Sequence, residues 1–322
     1  MMHELVRTRF AARFGNTGIA DAAVLGLRLG PGERLALCTD SFVVSPLFFP
    51  GGDIGDLAVN GTVNDLCMAG ARPLYLTAGF IIEEGLPMAI LDRIIESMAR
   101  AAEAAGVSIV AGDTKVVDRG KGDGVFINTS GVGVVGPGVD LGPARMLPGD
   151  VLILTGALGR HGVAVMGERG GLSFDPPVTS DTASLASLTR AMLDAAGGGL
   201  RAMRDPTRGG LATTLKEFAL ESGLCMVLDE DALPVPDGVR GACGLLGLDP
   251  LYVANEGICV AALAPDVAEY VLERVRLTPE GAGACVVGRV AAGPARAVLL
   301  STSLGGTRVL DMLEGEQLPR IC

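Results

Sequence analysis

The chain has no tryptophan, and aromatic residues make up only 4% of it. Its core must be built from Ala, Val, Leu and Ile, with turns supplied by 47 glycines and 18 prolines. Over 322 residues this fits a mixed α/β plus α+β protein of two domains, each large enough to bury its own core. Histidine is nearly absent too: His3 and His161 are the only two. That argues against a His-based triad or metal site. His161, in GRHGVAV, reads as a helix-start or core residue. Paired cysteine spacing is missing. Seven cysteines, an odd number without a CxxC, suggest neither a disulfide framework nor a zinc ribbon. Most lie in apolar runs such as GICVAAL, where an inert buried thiol is expected. No run of Lys and Arg reaches three residues and the net charge is −11, which excludes a phosphate-backbone binder. An acidic chain can still hold a nucleotide if Mg²⁺ bridges its carboxylates to the phosphates. No apolar run approaches the ~20 residues of a membrane helix. The opening MMHELVRTRF has no apolar segment resembling a signal peptide. The expectation is a cytoplasmic chain with reduced thiols and no membrane or nucleic-acid partner.

What is present is a series of strands and helices punctuated by glycine. LALCTDSFVV (35–44) predicts a strand with Asp40 near its end. A Pro-Gly-Gly turn then leads into a helix carrying Asp56 and Asp65. Residues 86–106 form an amphipathic helix, with an apolar stripe from Ile90 to Ala102, Pro87 in the first turn and Gly106 as C-terminal cap. VSIVAGDTKV predicts a buried strand opening into a polar loop, and 124–135 another strand. Residues 136–150, with three prolines and four glycines, mark a break. The second half predicts strands at DVLILTG, LCMVLD and near 284–300, and helices at about 181–196, up to 222 and at 265–276. The resulting division is 1–142, 143–312 and a tail, 313–322.

Four features carry chemistry. Asp21, Asp40, Asp65, Asp113 and Asp205 recur at strand ends and glycine turns. Such an Asp is ordinary turn chemistry by itself. The recurrence, with Lys115 in GDTK, suits phosphoryl transfer, which needs held Mg²⁺, donors and positioning rather than covalent help. DPTRGGL (205–211) enters a helix, and the bare backbone at Gly209 and Gly210 suits an anion. It lacks the GxxxxGK[ST] pattern, and glycine at a helix start is often only packing. Glu256, before the apolar strand of ANEGICVAAL, reads equally as a general base with a raised pKa or as a turn residue. The fourth feature is the ending, LPRIC. Ten extended residues reach up to ~33 Å, enough to cross from the surface into a cleft, although a terminal cysteine on a frayed end needs no function. The adjacent terminal carboxylate raises the Cys322 thiol pKa and Arg320 would lower it.

Taken together, TDSFVVSPLFFPGGDIGDLAVNGTVNDL, FIIEEGLPM, IVAGDTKVVDRG, FINTSGVGVV, RDPTRGGL, GLLGLDPLYVANEG and the terminal LPRIC resemble the HypE family of hydrogenase maturation factors. These carbamoyl dehydratases belong to the superfamily of aminoimidazole ribonucleotide synthetase and selenophosphate synthetase. The likeness runs from about residue 20 to the end. It implies a two-domain fold in which the N-terminal domain pairs in a dimer barrel, with ATP between the domains. It implies that a carbamoyltransferase partner loads the terminal cysteine, that ATP drives dehydration of the S-carbamoyl group to thiocyanate, and that an iron-carrying maturation complex receives the cyanide for [NiFe]-hydrogenase. Carried over by residue, Cys322 is the carrier, with Lys115 and Glu256 acting on phosphate and amide. Asp21, Asp40, Asp65 and Asp205 match the Mg²⁺-nucleotide carboxylates, and Asn64, Asp113 and Thr114 line the nucleotide. Two departures stand out. The short HGxGG stretch with which members usually begin is missing ahead of MMHELV, so weaker ATP binding is expected. The acidic pair before AVL is reduced to Asp21, preceded by Ala20. The competing readings are a kinase or synthetase of a small metabolite and a non-catalytic maturation scaffold.

Overall fold

Apolar residues at every second position build the first sheet. β1 (Arg34–Phe42), β6 (Val125–Val135), β4 (Ala71–Glu83) and β5 (Ser108–Val117) pair in that spatial order. β6 runs antiparallel to both neighbours, while β4 and β5 are parallel. A computed structural model describes residues 22–313, 315 and 320–322. A short hairpin, β2 (Phe48–Phe49) with β3 (Gly52–Asp53), delivers Asp53 as N-cap of α1 (Ile54–Met68). The Asp53 carboxylate accepts from the amides of Gly55 and Asp56, and the Asp56 carboxylate accepts from the Asp53 amide. This reciprocal box fixes the helix start. α1 is buried along nearly its whole length and packs on one sheet face with α2 (Met88–Ala105), which ends on left-handed Gly106.

The second sheet has seven strands in the order β13-β12-β9-β11-β7-β10-β8. These are β7 (Val151–Leu154), β8 (Leu200–Arg204), β9 (Cys225–Asp229), β10 (Val260–Leu263), β11 (Cys285–Ala291), β12 (Val298–Ser301) and β13 (Thr307–Leu310). Every residue of β10 is buried, as expected of a strand covered on both faces. The helices are α3 (Arg160–Gly170), α4 (Ala186–Ala196), α5 (Gly210–Ser222), α6 (Asp237–Leu246) and α7 (Pro265–Val275). α4 and α7 lie together, with Leu188, Met192, Val271 and Val275 in one buried cluster. The other side is filled by α5 through Leu211, Leu215 and Phe218.

Several sequence expectations are corrected. β4, β8 and α6 were not anticipated. Pro73 and Gly79 interrupt the pattern of β4, and the strand accommodates Pro73 at a register shift between Pro73 and Tyr75. GDTK does not form a polar loop: Asp113, Thr114 and Lys115 stay in β5, paired with Gly79, Phe80 and Ile81. The helix expected from 181 begins at Ala186, because Ser180, Asp181 and Thr182 bond to His161, the 256–257 amides and Asp56 instead.

Candidate active site

β1, α1 and the loop before α5 bring three carboxylates to one place. Asp40 comes from the end of β1, Asp65 from the last turns of α1, and Asp205 from the residue after β8. Asp65 is an exposed residue, but protein crowds its carboxyl; that desolvation, followed by the charges of Asp205 and Asp40, pushes it up to about 7. Burial pushes Asp205 up to about 6, and Asp40 is raised for the same reason. The loop then turns into α5 through Gly209 and Gly210, both with positive φ. At Gly210 a Cβ would lie 2.5 Å from the Leu251 carbonyl oxygen, so no other residue fits there. A cavity of about 400 Å³ separates this loop from Leu313, Gly315 and Ile321 of the tail.

The end of the chain is seated in this trough. Residues 320–322 run along the continuation of β1: the Ser45 amide donates to the Arg320 carbonyl, and the Val43 amide donates to a C-terminal oxygen of Cys322, each at 3.2 Å. Ile321 is 2% exposed and joins the apolar core of the first half. Its carbonyl receives a bond from His161 Nε2 at 2.7 Å. The Arg169 guanidinium donates to the carbonyls of Ser45 and Arg320, each at 2.7 Å. This places Cys322 among Glu256, Asp40 and Arg208. Burial first, then the Glu256 charge, pushes its thiol up to about 12, while Arg208 opposes the shift. The Arg320 guanidinium is engaged elsewhere. It turns outward to Asp123 at 2.5 Å, so the cation expected beside the sulfur is Arg208 instead.

Two buried carboxyls close the trough. Glu256 is 3% exposed and its Oε1 has no partner. Burial, followed by the charges of Asp205, Asp181, Asp40 and Asp65, drives it well above the usual carboxylate range. Asp181 Oδ2 accepts from the amides of Glu256 at 3.1 Å and Gly257 at 3.0 Å, and its Oδ1 is unpartnered. The approach is so close that a Cβ on residue 257 would fall 1.7 Å from the Asp181 carbonyl oxygen. Around these, two amides form a satisfied frame. Asn255 accepts from Gly159 and donates to Pro206 and Val253. Asn64 donates to Ala183 and Glu256 and accepts from Leu185.

The expected residues therefore separate into groups. Cys322, Glu256, Asp40, Asp65, Asp205, Gly209 and Gly210 lie together. Asn64 is buried beside them, with its amide committed to backbone groups. Asp113, Thr114 and Lys115 lie on the edge strand β5, where Lys115 pairs with Asp113 at 2.7 Å and both side chains are exposed. Asp21 lies outside the described residues, as do Glu314 and residues 316–319 of the tail. Arg208, Asp181 and the tail contact of His161 were not anticipated. Arg208 was in view inside RDPTRGGL, but Asp181 sits in a polar run without pattern. His161 finds its partner 160 positions away.

Whether a divalent cation fits can be judged from the same groups. Among the described residues, no three acidic, Cys or His side chains stand close enough to hold a metal ion by themselves. The charges of Asp205 and Asp40 nevertheless raise the pKa of Asp65, and Asp40 raises that of Asp205, a concentration of negative charge that a cation would relieve. Mg²⁺ commonly takes one or two carboxylates and completes its shell with phosphates and water. The donor set fits a Mg²⁺ that arrives with a nucleotide.

Comparison with known proteins agrees with this geometry. The family models described as AIR synthase related protein, N-terminal domain, and AIR synthase related protein, C-terminal domain, match residues 19–135 and 148–300. The carbamoyl dehydratase HypE of Azotobacter vinelandii is 56% identical over 91% of this chain and 85% of its own length. That of Bradyrhizobium diazoefficiens is 53% identical over 100% and 93%. A crystal structure of hydrogenase maturation protein HypE in complex with ATP superposes with a TM-score of 0.93 at 48% identity, covering 99% of this chain and 96% of that one. A crystal structure of a HypE–HypF complex superposes at 0.84 with 45% identity, covering 96% and 99%.

Proposed function

This chain belongs to the AIR synthase related family and, within it, to the HypE carbamoyl dehydratases, and on that premise we propose that it converts an S-carbamoyl group on its own Cys322 to a thiocyanate at the cost of ATP. The observation that carries this reading is the seat of Cys322: the sulfur lies beside Glu256 and Arg208, in the trough of Asp40, Asp65 and Asp205. A site for a free metabolite would have no need of the chain's own terminus inside it.

The reaction requires two bonds to change at carbon. The amide oxygen attacks the γ-phosphorus of ATP, releasing ADP and leaving the oxygen phosphorylated. Loss of that oxygen as phosphate, with removal of both amide protons, leaves S–C≡N. Amide oxygen is a poor leaving group, and phosphorylation makes it a good one. Glu256 is the base: burial disfavours its charged form, which makes the carboxylate a stronger proton acceptor when it forms. Arg208, whose charge acts on the sulfur, is placed to bind negative charge developing on the oxygen. The start of α5, whose N-cap Gly209 supplies no side-chain cap, would offer its first-turn amides to phosphate, with the Gly210 amide itself tied to the Thr207 carbonyl. Asp40, Asp65 and Asp205 would hold Mg²⁺, which when bound neutralises phosphate charge.

We also assign the partners here. A HypF-type carbamoyltransferase loads the tail, an iron-carrying maturation complex unloads it, and the setting is the cytoplasm; no helix among the described residues is long and apolar enough to cross a membrane. The open face of the first sheet exposes Leu35, Leu37 and Ile81, with Lys115 opposite Ile81 in register. An apolar face of this kind calls for cover, and a second copy of the chain, pairing in a barrel, would give it and enclose Lys115 at the interface. The test is intact-mass measurement after incubation with the carbamoyltransferase and its substrates. Wild type gains one carbamoyl group on Cys322 and Cys322→Ala gains none. A carbamoyl group on the Ala variant, or on another cysteine, would overturn the assignment.

A further inference from the structure

His161 and Asp181 have no role in the chemistry above, yet His161 is buried, Asp181 is half-buried with its carboxyl oxygen Oδ1 enclosed, and both reach into it. His161 is completely buried. Its ring touches three segments: Nε2 meets the Ile321 carbonyl at 2.7 Å, Nδ1 meets Ser180 Oγ at 2.9 Å, and the ring stands edge-on to Phe49. A carbonyl can only accept, so Nε2 carries the proton. Burial lowers the pKa of the ring and keeps it neutral, so Nδ1 is unprotonated and Ser180 must donate to it. The Ser180 oxygen in turn accepts from the Thr182 amide at 3.1 Å. One residue along, Asp181 holds the two amides that carry Glu256 and Gly257. The Ser180 amide is itself tied to the Pro50 carbonyl at 2.7 Å. Two consecutive residues thus touch the two reacting partners: Ser180 reaches the sulfur-bearing tail through His161, and Asp181 reaches the base through its backbone.

We propose that His161, Ser180 and Asp181 form one positioning element for the reaction, in which His161 sets where the Cys322 sulfur rests and Asp181 sets where the Glu256 carboxyl points. This rests on the dehydration reading for its consequence, though not for its geometry. The Nε2 proton is what the tail needs, because the Ile321 carbonyl sits in a buried setting and would lose its partner without it. The carboxylate of Asp181 is what the 256–257 turn needs, because two adjacent amides converge on one oxygen.

The experiment has two arms. The first needs neither ATP nor a carbamoyl group: the rate of iodoacetamide alkylation of Cys322 in the full chain, located by peptide mass mapping, with the melting temperature recorded alongside. A seated thiol reacts slowly because it is enclosed and poorly ionised. His161→Leu is expected to raise the Cys322 rate about tenfold, the loss of one hydrogen bond to a buried carbonyl. His161→Gln, which can keep a donor at that position, restores most of the protection. If His161→Leu lowers the melting temperature while Cys322 stays as protected as in wild type, His161 is a packing residue and the proposal fails. The second arm is single-turnover dehydration of the carbamoylated chain. Asp181→Leu is expected to slow it about 100-fold with the apparent ATP affinity unchanged, and Asp181→Asn, which retains an accepting oxygen, to recover most of the rate. Equal rates in Asp181→Leu and wild type would overturn the shared element. A wild-type chain that does not dehydrate at all counts against the functional reading, and the alkylation arm still decides the placement of the tail.

Discussion

Asn255 and Glu256 are neighbours in the chain and equally buried, but their surroundings differ in kind. Asn255 belongs to a frame in which each polar group has its partner: Gly159, Pro206 and Val253 use its whole amide, and Asn64 does the same across to Ala183 and Leu185. Glu256 belongs to a trough of unrelieved charge, with an unpartnered oxygen and four other carboxylates bearing on it. A buried polar group stabilises a fold only when its bonding is complete. An incomplete one marks where the molecule is prepared for something else to arrive. The frame holds the two halves in register, and the trough it holds open is where the sulfur enters.

That contrast can be broken by substitution, beginning with the largest effect. Glu256→Gln removes the base and an unpartnered buried carboxyl together. Dehydration of the carbamoylated chain should fall by about 10²–10⁴-fold, while the melting temperature stays level or rises, because an uncompensated buried carboxyl is lost. Asn255→Ala should do the opposite. It strands the Gly159 amide and the Val253 carbonyl, while the Pro206 carbonyl keeps the amide of residue 255, and denaturant unfolding should show a loss of about 3 kcal/mol. Were both variants equally destabilised, frame and trough would not be distinct.

Ile321→Ala tests the connection between tail and core. Truncating a buried Ile costs about 2 kcal/mol or more, so the unseated fraction should rise about 30-fold and Cys322 should be alkylated correspondingly faster. A smaller effect is expected from pH. Asp56, which caps α1, is pushed up to about 7 by burial and then by Asp53. Its folded pKa exceeds its unfolded one, so its contribution is complete below about pH 4 and is lost as pH rises through about 7. The melting temperature should decline across that window, and Asp56→Asn should flatten the decline. The smallest effect on stability belongs to Lys115→Ala. Its exposed pair with Asp113 contributes within about 0.5 kcal/mol, so any large fall in ATP-dependent turnover would mark a role in the reaction and not in the fold.

The sequence made the two mixed halves, most helices and the trough carboxylates legible because each leaves a local trace. Gly106 and Gly223 end their helices in the left-handed conformation, and Asp40 and Asp205 stand at strand ends. β4 was hidden because Pro73 and Gly79 break an alternation that tertiary pairing nevertheless enforces. Asp181 and the tail contact of His161 leave no local trace: their meaning arises from partners 75 and 160 positions distant. Arg208 was visible, but nothing in RDPTRGGL says that a sulfur from the far end of the chain will rest against it. Arg320 shows the converse case: adjacency in sequence suggested that it would lower the Cys322 thiol pKa, whereas its guanidinium pairs with Asp123 and the cation opposing the shift is Arg208.

The central claim is that the terminal sulfur carries its carbamoyl group into the trough and leaves it as a cyano group. The most direct test is intact mass of the carbamoylated chain before and after ATP with Mg²⁺. The account predicts the loss of one water from the Cys322 peptide, with one ADP and one phosphate released per chain. An unchanged mass in a chain that binds ATP, or ATP turnover indifferent to deletion of residues 318–322, would contradict it.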